Sequence, residues 1–340
     1  MSWYSLPAGL RNLVTELDAG PPTRRASPDI ARAIAAALDE LPPGTIVRAA
    51  AGIAKPGGLF YGYVPEVERD RERRDAAIQM ALHPELARVH LFHRNGFVRE
   101  AALASLDGAL SSPFMVAAVA YRLNDWVEPV RAAAELCGER VFPATDARIL
   151  AEAAFALLAL RRDWRRWGAG SPALENALFR PDVLSLLVRR INEARTGPVG
   201  RVLHAAMPRV EIDRHLPRLA REAFLPNVRA LAYRCLIEGS AQWSVGFRRE
   251  WVDKVYNLSR RVPVMESRQV ERFLPVPEMI EAASRDRSAA VRLVAADAAA
   301  ARRDDLPNLD TIISLLAADR SPPIRERLAF IEKERATSSS

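Results

Sequence analysis

The placement of apolar residues along the chain marks most of it as helical. Val130, Ala133, Ala134 and Cys137 stand at i, i+3, i+4 and i+7; Val228, Leu231, Ala232 and Cys235 repeat that spacing, and so do Val291, Val294, Ala295 and Ala298. Such spacing lines one face of an α-helix. A second apolar run precedes these faces, as in Met115 to Leu123 or Leu306 to Leu316, with a short polar turn between. Helix, turn, helix is the predicted unit. Asp125, Asp286 and Asp319 fall in the turns, where a short carboxylate accepts the orphan backbone N–H groups of the next helix. Alternating β patterns are scarce, so the expectation is an all-α chain.

The units share a register. Asn95-Gly-Phe-Val98-Arg99, Asp125-Trp-Val-Glu-Pro-Val130-Arg131, Pro226-Asn227-Val228-Arg229, Asp286-Arg-Ser-Ala-Ala-Val291-Arg292 and Asp319-Arg-Ser-Pro-Pro-Ile324-Arg325 are variants of one segment. Their arginines stand 32, 98, 63 and 33 residues apart, close to one, three, two and one steps of a 31–33-residue period. A fixed period of this size predicts stacked helical units, each contacting its neighbours.

These residues resemble the HEAT family of helix-pair repeats, whose second helix opens with an acidic residue, then a β-branched residue, arginine and small apolar residues. The aspartates at 125, 286 and 319 each precede Arg131, Arg292 and Arg325 by six. The period is shorter than the roughly 40–47 residues usual for the family and is similar to its compact bacterial variety. The resemblance implies a right-handed α-solenoid of about seven to eight short helix pairs. It also implies that Asp125/Arg131, Asp286/Arg292 and Asp319/Arg325 form the ladder of hydrogen bonds between repeats. Two units depart from the pattern, with His93 and Ala223 at the aspartate position.

The repeat register covers residues 65–334. Before it, Ser27-Pro28-Asp29 opens one amphipathic helix (Ile30, Ile34, Leu38, Leu41), with Ser27 as N-cap and Pro28 at the first helical position. Gly20-Pro21-Pro22, Pro42-Pro43-Gly44 and Lys55-Pro56-Gly57-Gly58 read as turns. Residues 1–64 are therefore expected to be capping helices with loops, and 335–340 a disordered tail. The longest apolar run, Ile149 to Leu160, contains Glu152 and is too short to span a bilayer. No secretory pattern stands at Met1. A cytoplasmic protein without a membrane partner is the expectation.

The formal net charge of +7 raises the question of nucleic acid. Only Lys55, Lys254 and Lys333 are lysines among the 49 basic residues. That arginine skew, with abundant alanine, is what a GC-rich genome imposes, so part of the basicity is compositional. Two stretches exceed this background. One is Arg161-Arg162-Asp163-Trp164-Arg165-Arg166-Trp167. The other runs from Trp243 to Arg261, where Trp243, Phe247 and Trp251 are spaced four apart, as on one helical face, beside Arg248, Arg249, Lys254, Arg260 and Arg261. Guanidinium groups pair with phosphates, and indoles stack on bases or pack a partner's side chains.

Catalytic patterns are weak. His90 and His93 share a helix face, but Pro84 separates them from His83 and two ligands make a poor zinc site. No histidine is followed by the glutamate that the iron-binding HEAT hydroxylases carry. Gly52 to Gly58 lacks the order of a phosphate loop and reads as a turn. Cys137 and Cys235 fill one repeat position as small core residues, not as a disulfide. Neither metal nor cofactor is expected. The functional expectation is a non-enzymatic scaffold binding a protein on its concave face. The alternative is a nucleic-acid binder similar to the alkylpurine DNA glycosylases, using the Arg/Trp stretches; a role like that of the HEAT-like pigment lyases has only the fold behind it.

Overall fold

A computed structural model describes residues 6–19, 28–54, 66–161, 164 and 171–338. The chain divides into two compact units, Met1–Leu187 and Val188–Ser340. Among the described residues it is mostly helical, with eighteen α-helices and one two-stranded sheet.

The first unit holds α1 (Ala8–Ala19), α2 (Pro28–Asp39), α3 (Ile46–Ala54), α4 (Glu66–Leu82), α5 (Leu86–His90), α6 (Gly96–Ser105), α7 (Pro113–Leu123), α8 (Glu128–Ala144), α9 (Ala147–Leu160) and α10 (Pro172–Leu178). Helix α11 (Pro181–Glu193) spans the division. Apolar residues inside these helices are fully buried, among them Ile34, Leu38, Phe114, Val130, Phe142 and Leu150. Polar side chains start the helices: Ser112, Asp146 and Ser171 each accept a backbone N–H two or three residues on. Gly138 keeps α8 close to α10, since a Cβ there would lie 2.8 Å from the Phe142 ring and 3.2 Å from Ala173.

Three helices, α1, α2 and α3, occupy the N-terminal region, where capping helices and loops were expected, and α3 includes Gly52 to Ala54, which the sequence placed in a turn. Helix α2 packs on α5 and α7, and α3 on α7. Leu10, Ile34, Ile46 and Ile53 are buried as deeply as the residues of the later helices. The predicted N-cap, Ser27, lies outside the described residues.

The second unit holds α12 (Val199–Ala206), a 3-10 segment at Val210–His215, α13 (Leu216–Glu222), α14 (Pro226–Glu238), β1 (Ser240–Asp253), β2 (Leu258–Gln269), α15 (Val276–Ser284), α16 (Ala289–Ala301), α17 (Leu309–Leu316) and α18 (Pro322–Ser338). The last helix reaches Ser338, and Arg335 pairs with Asp310 at 2.6 Å, so residues 335–338 are helical where a frayed tail was expected.

The antiparallel hairpin β1–β2 overturns the all-helical expectation. A spacing of four fits a helix of period 3.6, but it is also an even number and fits a strand of period 2. Val245, Val252, Val255, Val262 and Val264, together with Trp251 and Tyr256, favour the strand. Gly239 ends α14 in the left-handed region (φ 69°), where a Cβ would also strike the Arg272 guanidinium. Asn257 takes φ 52° in the hairpin turn. No helix among the described residues is long and apolar enough to cross a membrane.

Candidate interaction site

The six-residue Asp/Arg spacing does not place the two side chains together. Asp125 instead receives Arg99 of the preceding unit, Nε to Oδ2 at 2.9 Å and Nη2 to Oδ1 at 2.8 Å. Asp286 receives Arg229 in the same bidentate way, at 2.7 and 2.8 Å. Asp319 receives Arg292 Nε at 2.6 Å. Each carboxylate also accepts the N–H two residues on, from Val127, Ser288 and Ser321. The ladder thus joins the arginine of one unit to the aspartate of the next.

Within its own unit each arginine grips backbone. Arg99 Nη1 donates to the carbonyls of His93 and Arg94, Arg131 Nη1 to those of Asp125 and Trp126, and Arg229 Nη1 to those of Ala223 and Phe224. Arg292 donates to the Asp286 carbonyl. The residue six before the arginine supplies only its carbonyl, so His93 and Ala223 serve as well as aspartate. Among the described residues Arg131 meets no aspartate of a following unit; there Glu135 accepts from Ser171 Oγ at 2.6 Å and from Ala173 N at 2.9 Å, tying α8 to the start of α10. Arg325, the last of the series, makes no ladder bond among the described residues and is exposed.

The electrostatics follow the pairing. Hydrogen bonds from Arg292 and Ser321 hold the Asp319 carboxyl below its ordinary value, and Asp319 in turn raises Arg292. Burial pushes the Asp286 carboxyl up, but Arg229 and the Ser288 N–H together outweigh it and the net shift is downward. Asp125 carries a second partner that the sequence did not disclose, Arg122, with Nη1 to Oδ2 at 2.8 Å. Burial lowers that guanidinium to about 10 against the pull of Asp125.

The Arg161–Trp167 stretch separates on inspection. Trp164 is 4% exposed and packs against Tyr121, ring centroids 5.6 Å apart. Arg161 pairs with Glu175 at 3.1 Å. Arg162, Arg165, Arg166 and Trp167 lie outside the described residues.

In the second stretch the residues are brought together as a hairpin. One extra β1 residue between Ser244 and Gly246 shifts the register, which puts Trp243 on one face and Phe247 and Trp251 on the other. On the Trp251 face, Arg249 lies 4.0 Å over the Trp251 ring and Arg261 lies 4.8 Å over Phe247, with Arg249 Nε donating to Ser259 Oγ. Arg248 and Arg260 share the opposite face, where Arg260 pairs with Glu250 at 2.9 Å. Sequence reading missed the turn residues Val252, Val255, Tyr256 and Leu258, all exposed. Their signal was an apolar cluster around Asp253-Lys254 and Asn257, a turn composition inside what read as a helix.

A clamp holds the hairpin base. Arg268 donates to both Asp213 oxygens (2.9 and 2.6 Å) and to the carbonyls of Met207 and Arg209, while Glu271 N reaches Asp213 Oδ2. Ala241 and Val270 are buried beside it. Elsewhere, His90 and His93 meet edge to face with centroids 5.9 Å apart. Burial lowers them to about 3 and about 4, and His90 Nε2 is enclosed without a partner. Among the described residues no group of three or more His, Cys, Asp or Glu is placed to hold a metal ion. Cys137 and Cys235 are free and buried. No protein-family model, curated protein or solved structure matches the chain.

Proposed function

We propose that the chain is a non-enzymatic cytoplasmic scaffold, built from HEAT-like right-handed stacks of short helix pairs, that grips a protein partner along its concave second-helix face. The recurrent Arg-to-next-Asp clasp carries this reading. It fixes successive second helices in one register with side chains that are themselves largely buried, and so leaves a repeated outer position for contact. That position is the residue five before each arginine of the repeat register; at the first of them Arg94 is half-buried and paired with Glu72. In the first unit it holds Trp126, 73% exposed. In the second it holds Phe224, 42% exposed, and the exposed Arg287 and Arg320. Tryptophan, phenylalanine and arginine are the side chains that dominate protein interfaces. The nucleic-acid alternative draws less support from the Arg161–Trp167 stretch, where Arg161 is ion-paired and Trp164 is buried.

The test is affinity purification of the tagged full chain from a nuclease-treated native extract, followed by reconstitution of any retained protein in pure form. Trp126→Ala and Phe224→Ala should release that protein without lowering the melting temperature. Retention that vanishes with nuclease and returns with added nucleic acid would reverse the choice of partner.

A further inference from the structure

The hairpin is a fixed arm whose side chains are sorted by distance from its tip. Its turn and first two cross-strand pairs present Trp251, Val252, Val255, Tyr256 and Leu258, with Val255 88% and Tyr256 76% exposed, around the polar Asp253, Lys254, Asn257 and Ser259. The next three pairs, Glu250 with Arg260, Arg249 with Arg261 and Arg248 with Val262, carry four arginines in a collar. These pairs step back from the turn by about 3.3 Å per residue, so the collar begins on the order of 10 Å behind the apolar tip. Arg249 and Arg261 lie on one face of the ribbon, and Arg248 and Arg260 on the other.

We propose that this arm docks on an anionic phospholipid surface, with the apolar tip entering the boundary between headgroups and acyl chains and the arginine collar meeting lipid phosphates. Sorting by depth on both faces is what a planar interface selects. A protein groove or a helix face sorts a ribbon by face instead, apolar on one side and polar on the other. A polynucleotide would reward arginines along the ribbon but gives little to the aliphatic Val252, Val255 and Leu258. Interfacial anchoring takes an apolar insertion together with a basic patch, and the two occur here in the required order. Trp251 stands between tip and collar, at the level such amphipathic rings prefer.

The charges are available. Among the described residues Arg248, Arg249 and Arg261 meet no carboxylate, since Glu250 is taken by Arg260. The turn is prepared for a less polar medium: Asp253 Oδ1 accepts the N–H groups of Val255 and Tyr256, which satisfies two turn donors internally. The Arg268–Asp213 clamp holds the arm by its base, so the tip is presented rather than folded back. Val245, Phe247, Val264 and Met265 are also exposed but lie behind the collar and have no part in the contact. No spanning helix is needed for such peripheral binding, and the inference does not depend on the identity of a protein partner.

The full chain is to be sedimented with phosphatidylcholine vesicles and with vesicles in which about a third of the lipid is phosphatidylglycerol. Binding should be at least about tenfold stronger to the anionic vesicles and should weaken with salt. Val255→Ser with Tyr256→Ser keeps the charge and should lower that binding about tenfold. Arg248→Gln, Arg249→Gln and Arg261→Gln together should abolish the preference for anionic lipid. Both variants alter exposed side chains and should retain the wild-type circular dichroism and melting temperature. Failure of the intact chain to bind anionic vesicles overturns the proposal. So does binding that survives the tip substitutions while disappearing with the collar, or duplex DNA binding of equal strength that ignores the tip; these outcomes would leave only attraction to polyanions.

Discussion

Arg229 and Asp286 are 57 residues apart in the chain and form a bidentate pair, Nε to Oδ2 at 2.7 Å and Nη2 to Oδ1 at 2.8 Å. They make the same clasp that Arg99 and Asp125 make across 26 residues. The units that contain α14 and α16 are therefore immediate neighbours. The 63 residues between Arg229 and Arg292 hold one repeat step and the inserted hairpin, not two steps.

The clasp ranks two arginines that the sequence treats alike. Arg99→Ala removes a buried bidentate partner from Asp125 and should cost about 3 kcal/mol of unfolding free energy. Among the described residues Arg131 donates to two carbonyls and no carboxylate, and Arg131→Ala should cost about 1 kcal/mol. Urea denaturation of both variants measures the difference; equal losses would refute the cross-unit pairing.

Excision of the arm should leave the fold intact. Replacing Phe247 to Pro263 with Asn-Gly closes the ribbon on the Gly246–Val264 pair with a favoured two-residue turn. Because the removed side chains are mostly exposed, the stability change should stay below about 1 kcal/mol. Loss of cooperative unfolding in the shortened chain would show that the hairpin supports the helices around it.

Acid should destabilise the protein before its carboxylates titrate. His90 and His93 are held neutral in the fold, at about 3 and about 4, by burial and, for His93, by Arg94 and Arg99. Their folded values lie below the unfolded value near 6.5, so their contribution is full above that pH. It is lost as the pH falls through about 6.5 towards 4, because the unfolded chain binds protons that the fold excludes. The slope should approach about 2.7 kcal/mol per pH unit for the two together, with His215 adding in the same direction. Urea midpoints at about pH 7 and about pH 5 read this window; a flat response would mean that the pair is solvated.

Thiol chemistry should report unfolding. Burial pushes Cys137 up to about 11 and Cys235 up to about 12. Neither should react with a disulfide reagent at about pH 8 in the native state, and both should react at once in denaturant. Rapid native labelling of either residue would place that side chain at the surface.

The helix pairs were legible because their apolar faces repeat at fixed spacing, and the arginine register marked where each second helix begins. Which aspartate each arginine meets was not legible. The Asp-to-Arg spacing of six reflects a real contact, but one with the backbone carbonyl, and it hides the side-chain pairing with the next unit. The departures at His93 and Ala223 held the clue, since the arginines persist where the aspartates do not. The hairpin escaped for a different reason. A four-residue aromatic spacing serves both helix and strand, and the insertion has nearly the length of one repeat, so the period gave no sign of interruption.

That insertion has a consequence for how the protein can change. Arg229 and Asp286 close the gap between neighbouring units whatever lies between them, and closing a longer connection adds only about 0.6 kcal/mol for each doubling of its length. The junction between α14 and α15 is thus a cassette position. Arms of other lengths and chemistries can occupy it while the packed helices stay as they are, which lets one helical frame be redirected to new surfaces by exchanging a single ribbon.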